Sequence, residues 1–127
     1  MEGKRLLVID DDKDLLELIK TYFEMEGYAV FTLPRVDNIF KAFSQYHPDL
    51  ILLDYQLPEE NGDKICQQLK SNPATFNIPV IMISGYSKAE LERDYHGWNG
   101  VVSKPFDLPV LQKAIEKFLK KAVSEGN

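Results

Sequence analysis

Acidic side chains stand where runs of apolar residues stop. Leu6-Leu-Val-Ile9 passes straight into Asp10-Asp11-Asp12, and Leu50-Ile-Leu-Leu53 into Asp54. Two further apolar runs lead to a hydroxyl, Ser84, and to an ammonium, Lys104. In open parallel α/β sheets, ligands gather beyond the carboxyl ends of the strands. If the first and third runs are neighbouring strands, Asp10, Asp11 and Asp54 converge. Like charges about 4 Å apart repel by about 4 kcal/mol at an effective dielectric of about 20, so such a site must hold protons, recruit a cation, or do both. Three carboxylates against the Lys104 ammonium leave two negative charges, which one divalent cation neutralises. All-oxygen donors without a nearby His or Cys favour Mg²⁺ or Mn²⁺ over zinc, with coordination positions left for water and a phosphoryl oxygen. The residue types therefore describe a phosphoryl site: cations on its oxygens, a hydroxyl donor at Ser84 and a carboxylate nucleophile. Asp54, ending the central run, is the expected nucleophile, and its product is a labile acyl phosphate suited to a temporary signal.

Placing these groups together requires strands. Five apolar runs recur, Leu6–Ile9, Tyr28–Leu33, Leu50–Leu53, Ile78–Ile83 and Gly100–Ser103, and they are continuous rather than alternating. Such runs suit strands buried on both faces of a parallel sheet. Between them lie stretches of helical period: Leu15, Ile19, Tyr22 and Phe23; Val36, Ile39, Phe40 and Phe43; Leu111, Ala114, Ile115, Phe118 and Leu119. Each presents one apolar face. Asp63–Ser71 and Lys88–Tyr95 are more weakly patterned and are read as helices too. Strand and helix alternating five times predicts a doubly wound α/β domain with right-handed crossovers. Gly27, Pro34, Pro48, Pro58, Gly62, Pro73, Gly97 and Pro105 fall between the elements, as turns require.

The composition is that of one globular domain: 127 residues, 44% hydrophobic and 28% charged, with a formal net charge of −5. Residues 1–122 are read as the domain, and 123–127 as a flexible tail or truncated linker. An acidic chain without a basic run is a poor nucleic-acid binder by itself. No apolar stretch approaches the roughly 20 residues of a membrane span, and Cys66, the single cysteine, allows no internal disulfide. A cytoplasmic protein is expected.

Four fragments in order resemble the response-regulator receiver domains of two-component signalling. They are Leu6-Leu-Val-Ile-Asp10-Asp11-Asp12-Lys-Asp-Leu-Leu16, Pro48-Asp-Leu-Ile-Leu-Leu-Asp54-Tyr-Gln-Leu-Pro58-Glu-Glu-Asn-Gly62, Ile78-Pro-Val-Ile-Met-Ile-Ser84-Gly85 and Ser103-Lys104-Pro105-Phe106. The resemblance spans about residues 4–120. It implies a flavodoxin-like (βα)5 fold with sheet order 2-1-3-4-5 and a cis Lys104–Pro105 bond. It further implies Asp54 as phosphoacceptor, with Ser84 and Lys104 as its catalytic partners. Asp10, Asp11, Asp54 and the Gln56 backbone carbonyl would hold the metal. The implied donor is the phosphohistidine of a sensor histidine kinase or phosphotransfer protein, and the domain is a switch rather than an enzyme beyond its own phosphorylation and dephosphorylation. An output domain or a second copy would meet the helix 4, strand 5, helix 5 face, comprising Lys88–Tyr95, Trp98 and Asp107–Lys121.

Val101 departs from the family's usual aromatic, Gly85 stands where Ala is frequent, and Trp98 where a small residue is usual. Signalling is therefore expected through backbone movement of the Gly85–Lys88 loop and the following helix. Gln56 and Tyr86, two residues beyond Asp54 and Ser84, are expected to flank the approach of water to the phosphorylated carboxylate. Two rivals remain at this level, a non-phosphorylated scaffold and a haloacid-dehalogenase-like phosphatase. The latter places a second Asp where this chain has Gln56. Asp12 is read as a plain helix cap, His47 and His96 as solvated loop residues, Cys66 as packed on a helix and Trp98 as partial core.

Overall fold

In the computed structural model, residues 2–125 are described except Asp94 and His96, with side chains described as far as Lys121. Five parallel strands form one sheet in the order β2-β1-β3-β4-β5: β1 (Arg5–Ile9), β2 (Ala29–Leu33), β3 (Leu50–Asp54), β4 (Val80–Ser84) and β5 (Gly100–Ser103). Five helices connect and follow them: α1 (Lys13–Met25), α2 (Ile39–Tyr46), α3 (Gly62–Lys70), α4 (Lys88–Glu92) and α5 (Leu108–Glu125).

The continuous apolar runs are explained by burial on both faces. Every residue of β3 and β4 is buried. Successive side chains point to opposite sides, so Leu6, Val8, Leu50, Leu52, Ile81 and Ile83 pack under α1 and α5. Leu7, Ile9, Ile51, Leu53, Val80 and Met82 pack against α2, α3 and α4, where Cys66 and Trp98 join them. The largest fully buried side chain, Phe23, anchors α1 and meets Tyr28 edge-on, with ring centroids 5.5 Å apart.

Several boundaries differ from the periodicity. The repeat beginning at Val36 places it inside a helix, yet α2 starts at Ile39, because the Asn38 side chain accepts the N–H groups of Phe40 and Lys41. Val36 lies before the cap and packs against the α2-side core. The helix expected over Lys88–Tyr95 is regular only through Glu92, opened by a capping box between Ser87 and Glu90. The residue read as the loop histidine His47 is exposed and closes α2 in the left-handed region at φ 46°. His96 lies outside the described residues. At the other end of the chain, α5 continues through Glu125, so residues 123–125 are helical, while Gly126 and Asn127 are outside the described residues.

Close backbone approach fixes one turn beside the strand ends. The Gly62 N–H donates to the Tyr55 carbonyl over 2.8 Å, and a Cβ on Gly62 would fall on the carbonyl oxygen of Asp54. The first turn of α3 is thereby pressed against β3. At Gly85 a Cβ would meet open space. Gly62→Ala is expected to lower unfolding stability by about 1–3 kcal/mol, the usual cost of overpacking, whereas Gly85→Ala should stay within about 0.5 kcal/mol. Denaturant midpoints of the two variants check this.

Candidate phosphoacceptor and metal site

Register brings the chemistry-bearing residues together. Ile9 pairs with Leu53, so Asp10 and Asp54, each one residue further on, stand level at the ends of adjacent strands. Asp54 pairs with Ile83, which sets Ser84 one step beyond it. Ser84 pairs with Ser103, and Lys104 follows. Each of the four groups is thus delivered by the last residue of a strand or the first after it. The Lys104–Pro105 bond is cis.

The Lys104 ammonium donates to Asp10 Oδ2 over 2.9 Å and lies 3.5 Å from Asp54 Oδ2. Asp10 is fully buried and its Oδ1 accepts the Asp12 N–H over 2.9 Å. Asp12 itself caps α1, accepting from Asp14 and Leu15. Asp54 is 3% exposed, and its Oδ1 accepts the backbone N–H of Gln56 over 3.2 Å. Carboxylate oxygens of Asp10, Asp11 and Asp54 all lie within 4.8 Å of one another, with Asp11 exposed and the other two buried. Ser84 is fully buried and its Oγ accepts the Tyr86 N–H over 2.9 Å.

Electrostatics follow from this crowding. Burial, reinforced by Asp10 and more weakly by Asp11, pushes the Asp54 carboxyl up to about 6, against the pull of Lys104 and the Gln56 N–H. Burial disfavours the charged form of Lys104, but the Asp10 hydrogen bond and the charges of Asp10 and Asp54 outweigh it and hold the ammonium above its ordinary value. Among the described residues this pocket is short of positive charge. Its oxygen-only donor set fits a hard divalent cation such as Mg²⁺ and offers nothing to a soft one.

The structure brings together Asp10, Asp11, Asp54 and Lys104, as their positions in the sequence suggested, with Ser84 at the end of β4 and Gln56 in the loop after β3. Sequence reasoning did not single out Tyr55, buried between Asp54 and Gln56, whose ring meets that of Tyr86 edge-on at 5.8 Å. Nor did it find Arg35, which ties the loop after β2 to Glu59 in the loop after β3 over 2.9 Å. No spacing rule signals either contact, since both join residues from separate loops. Away from the carboxylates, Trp98, Val101 and Phe118 line a groove between α4, β5 and α5, with Lys88 and Lys117 among its polar walls.

The family model for the response regulator receiver domain matches residues 6–116. The phosphate regulon transcriptional regulatory protein PhoB of Rhizobium meliloti is 30% identical over 95% of this chain and 54% of its own length. The DNA-binding dual master transcriptional regulator RpaA of a Synechocystis strain is 34% identical over 92% of this chain and 49% of its own. The chain spans about half the length of these curated relatives. Among solved structures, a CheY-like response regulator receiver domain protein from Methanospirillum hungatei superposes with a TM-score of 0.88 at 25% identity, covering 98% of this chain and 99% of that one. No helix among the described residues is long and apolar enough to cross a membrane.

The raised Asp54 value has a stability consequence. Below an ordinary carboxyl value of 3.8 the group is protonated folded or unfolded, and the folded state keeps its proton up to about pH 6. This contribution is therefore present in acid and lost as pH rises through about 6. Asp54→Asn, which relieves the repulsion, should stabilise the metal-free protein at neutral pH by up to about 2–3 kcal/mol, and the gain should vanish near pH 4. Thermal or urea unfolding across that range measures it.

Proposed function

The chain belongs to the response regulator receiver domain family, and from that premise we propose that it is a phosphoacceptor switch in which Asp54 takes a phosphoryl group from a phosphohistidine donor. The observation that carries the reading is the Lys104 ammonium reaching both Asp10 and Asp54 at level strand ends, over 2.9 and 3.5 Å. An Asp54 oxygen attacks the phosphorus, the bond from phosphorus to the donor nitrogen breaks, and the electron pair leaves with the imidazole, which is protonated. The product is the Asp54 acyl phosphate. Lys104 offsets charge on the phosphoryl oxygens, and the Ser84 hydroxyl, which accepts from Tyr86 N–H, retains its own proton to donate to one of them. Water attacking the phosphorus later breaks the bond to the Asp54 oxygen, releasing phosphate and the free carboxylate.

Asp10, Asp11, Asp54 and the Gln56 carbonyl would hold Mg²⁺, with Mn²⁺ an acceptable substitute. The ion would neutralise charge that the transferring group brings into an already acidic pocket. The donor would be a sensor histidine kinase or a phosphotransfer protein in the cytoplasm. Output would pass through backbone movement of residues 85–88 to the α4–β5–α5 face, where an output domain or a second copy of the chain binds. Val101, paired with Met82 in β5, has no ring to swing in that role.

Incubation with acetyl phosphate and Mg²⁺ should give a phosphoryl adduct, seen by intact-protein mass spectrometry, that Asp54→Ala abolishes and Lys104→Ala strongly slows. A persistent absence of adduct would identify a scaffold. Continuous turnover of acetyl phosphate without accumulation would identify a phosphatase.

A further inference from the structure

One exposed side chain joins the two loops that flank the Asp54 carboxylate. Tyr86, 42% exposed, donates its backbone N–H to Ser84 Oγ, and its hydroxyl accepts from the Gln56 side-chain amide over 3.0 Å. Its ring stands edge-on to Tyr55. Gln56 in turn gives its backbone N–H to Asp54 Oδ1. The loop after β3 and the loop after β4 are therefore linked twice, by ring contact and by a hydrogen bond between side chains that sit 30 residues apart. Tyr86 contributes little to the core at this exposure. Its hydroxyl, ring and backbone N–H each meet a residue within two positions of Asp54 or Ser84.

We propose that Tyr86 is a positioning residue for divalent-cation binding, fixing the Gln56 peptide beside Asp54 by accepting the Gln56 side-chain hydrogen bond. The inference rests on the reading of the acidic pocket given above. The peptide chain at Gln56 carries both the N–H on Asp54 and the carbonyl assigned to the cation, so restraining the side chain restrains where that carbonyl points.

The test compares Mg²⁺ dissociation constants of wild type, Tyr86→Phe, Gln56→Ala and the double variant, followed by backbone amide shifts. Gln56→Ala keeps the ligating carbonyl, and Tyr86→Phe keeps the ring contact and the N–H to Ser84, so each removes only the tether. Each single variant should bind Mg²⁺ roughly two- to tenfold more weakly, the range set by one hydrogen bond. The double variant should bind no more weakly than the weaker single one, because both remove the same interaction. Unfolding midpoints without magnesium should be unchanged, which separates positioning from a structural role. Wild-type affinity in Tyr86→Phe, or full additivity in the double variant, overturns the inference alone. A wild type without magnesium affinity overturns the reading of the pocket and this inference with it.

Discussion

Two carboxylates delivered level with each other by adjacent parallel strands set the conditions for everything around them. Asp10 and Asp54 cannot separate, because the β1–β3 register that places them is held by the apolar residues behind them. They cannot both ionise freely, because they are buried. The remaining responses are a cation and a proton. Lys104 supplies the first, arriving from β5 on the far side of β4, and the raised Asp54 value reflects the second. On the function proposed above, that remaining negative charge is what a divalent cation, and with it a phosphoryl group, would answer.

The rest of the fold holds that arrangement. Alternate residues of the strands fill two separate apolar layers, so a slip of one residue would exchange them. At the opposite end of the sheet, Lys70 donates to the carbonyls of Phe76 and Ile78 and to Asn99 Oδ1. Asn99 also accepts the first N–H of β4 at Val80. That clamp fixes the starting points of the strands whose other ends carry Ser84 and Lys104. Burial lowers the pKa of the clamping ammonium, yet its polar carbonyl partners satisfy its donors.

Much of this was legible in the sequence because strand ends are marked by an abrupt change of polarity. Leu53 to Asp54 and Ile9 to Asp10 announce both the end of a buried run and the charge beyond it; the five runs announced five parallel strands, while their order in the sheet came from the family resemblance. Helix limits were less legible. The period that begins at Val36 is broken by an Asn38 cap whose side-chain hydrogen bonds outweigh a favourable apolar spacing. The charged segment after Ser87 forms little more than one turn: a capping box starts it, but only Leu91 of α4 is buried to anchor it. Contacts between loops, such as Gln56 with Tyr86 or Arg35 with Glu59, have no periodic signature, since the fold alone decides which loops are neighbours.

The central claim is that crowding at the strand ends, relieved by a divalent cation, governs the Asp54 carboxylate. Titration of the Asp54 side-chain carboxyl carbon by NMR, with and without Mg²⁺, tests it most directly. Without the ion, ionisation should occur near pH 6, and saturating Mg²⁺ should move it well into the acid range. An Asp54 that titrates like an ordinary surface aspartate, and does so identically in both conditions, would contradict the claim.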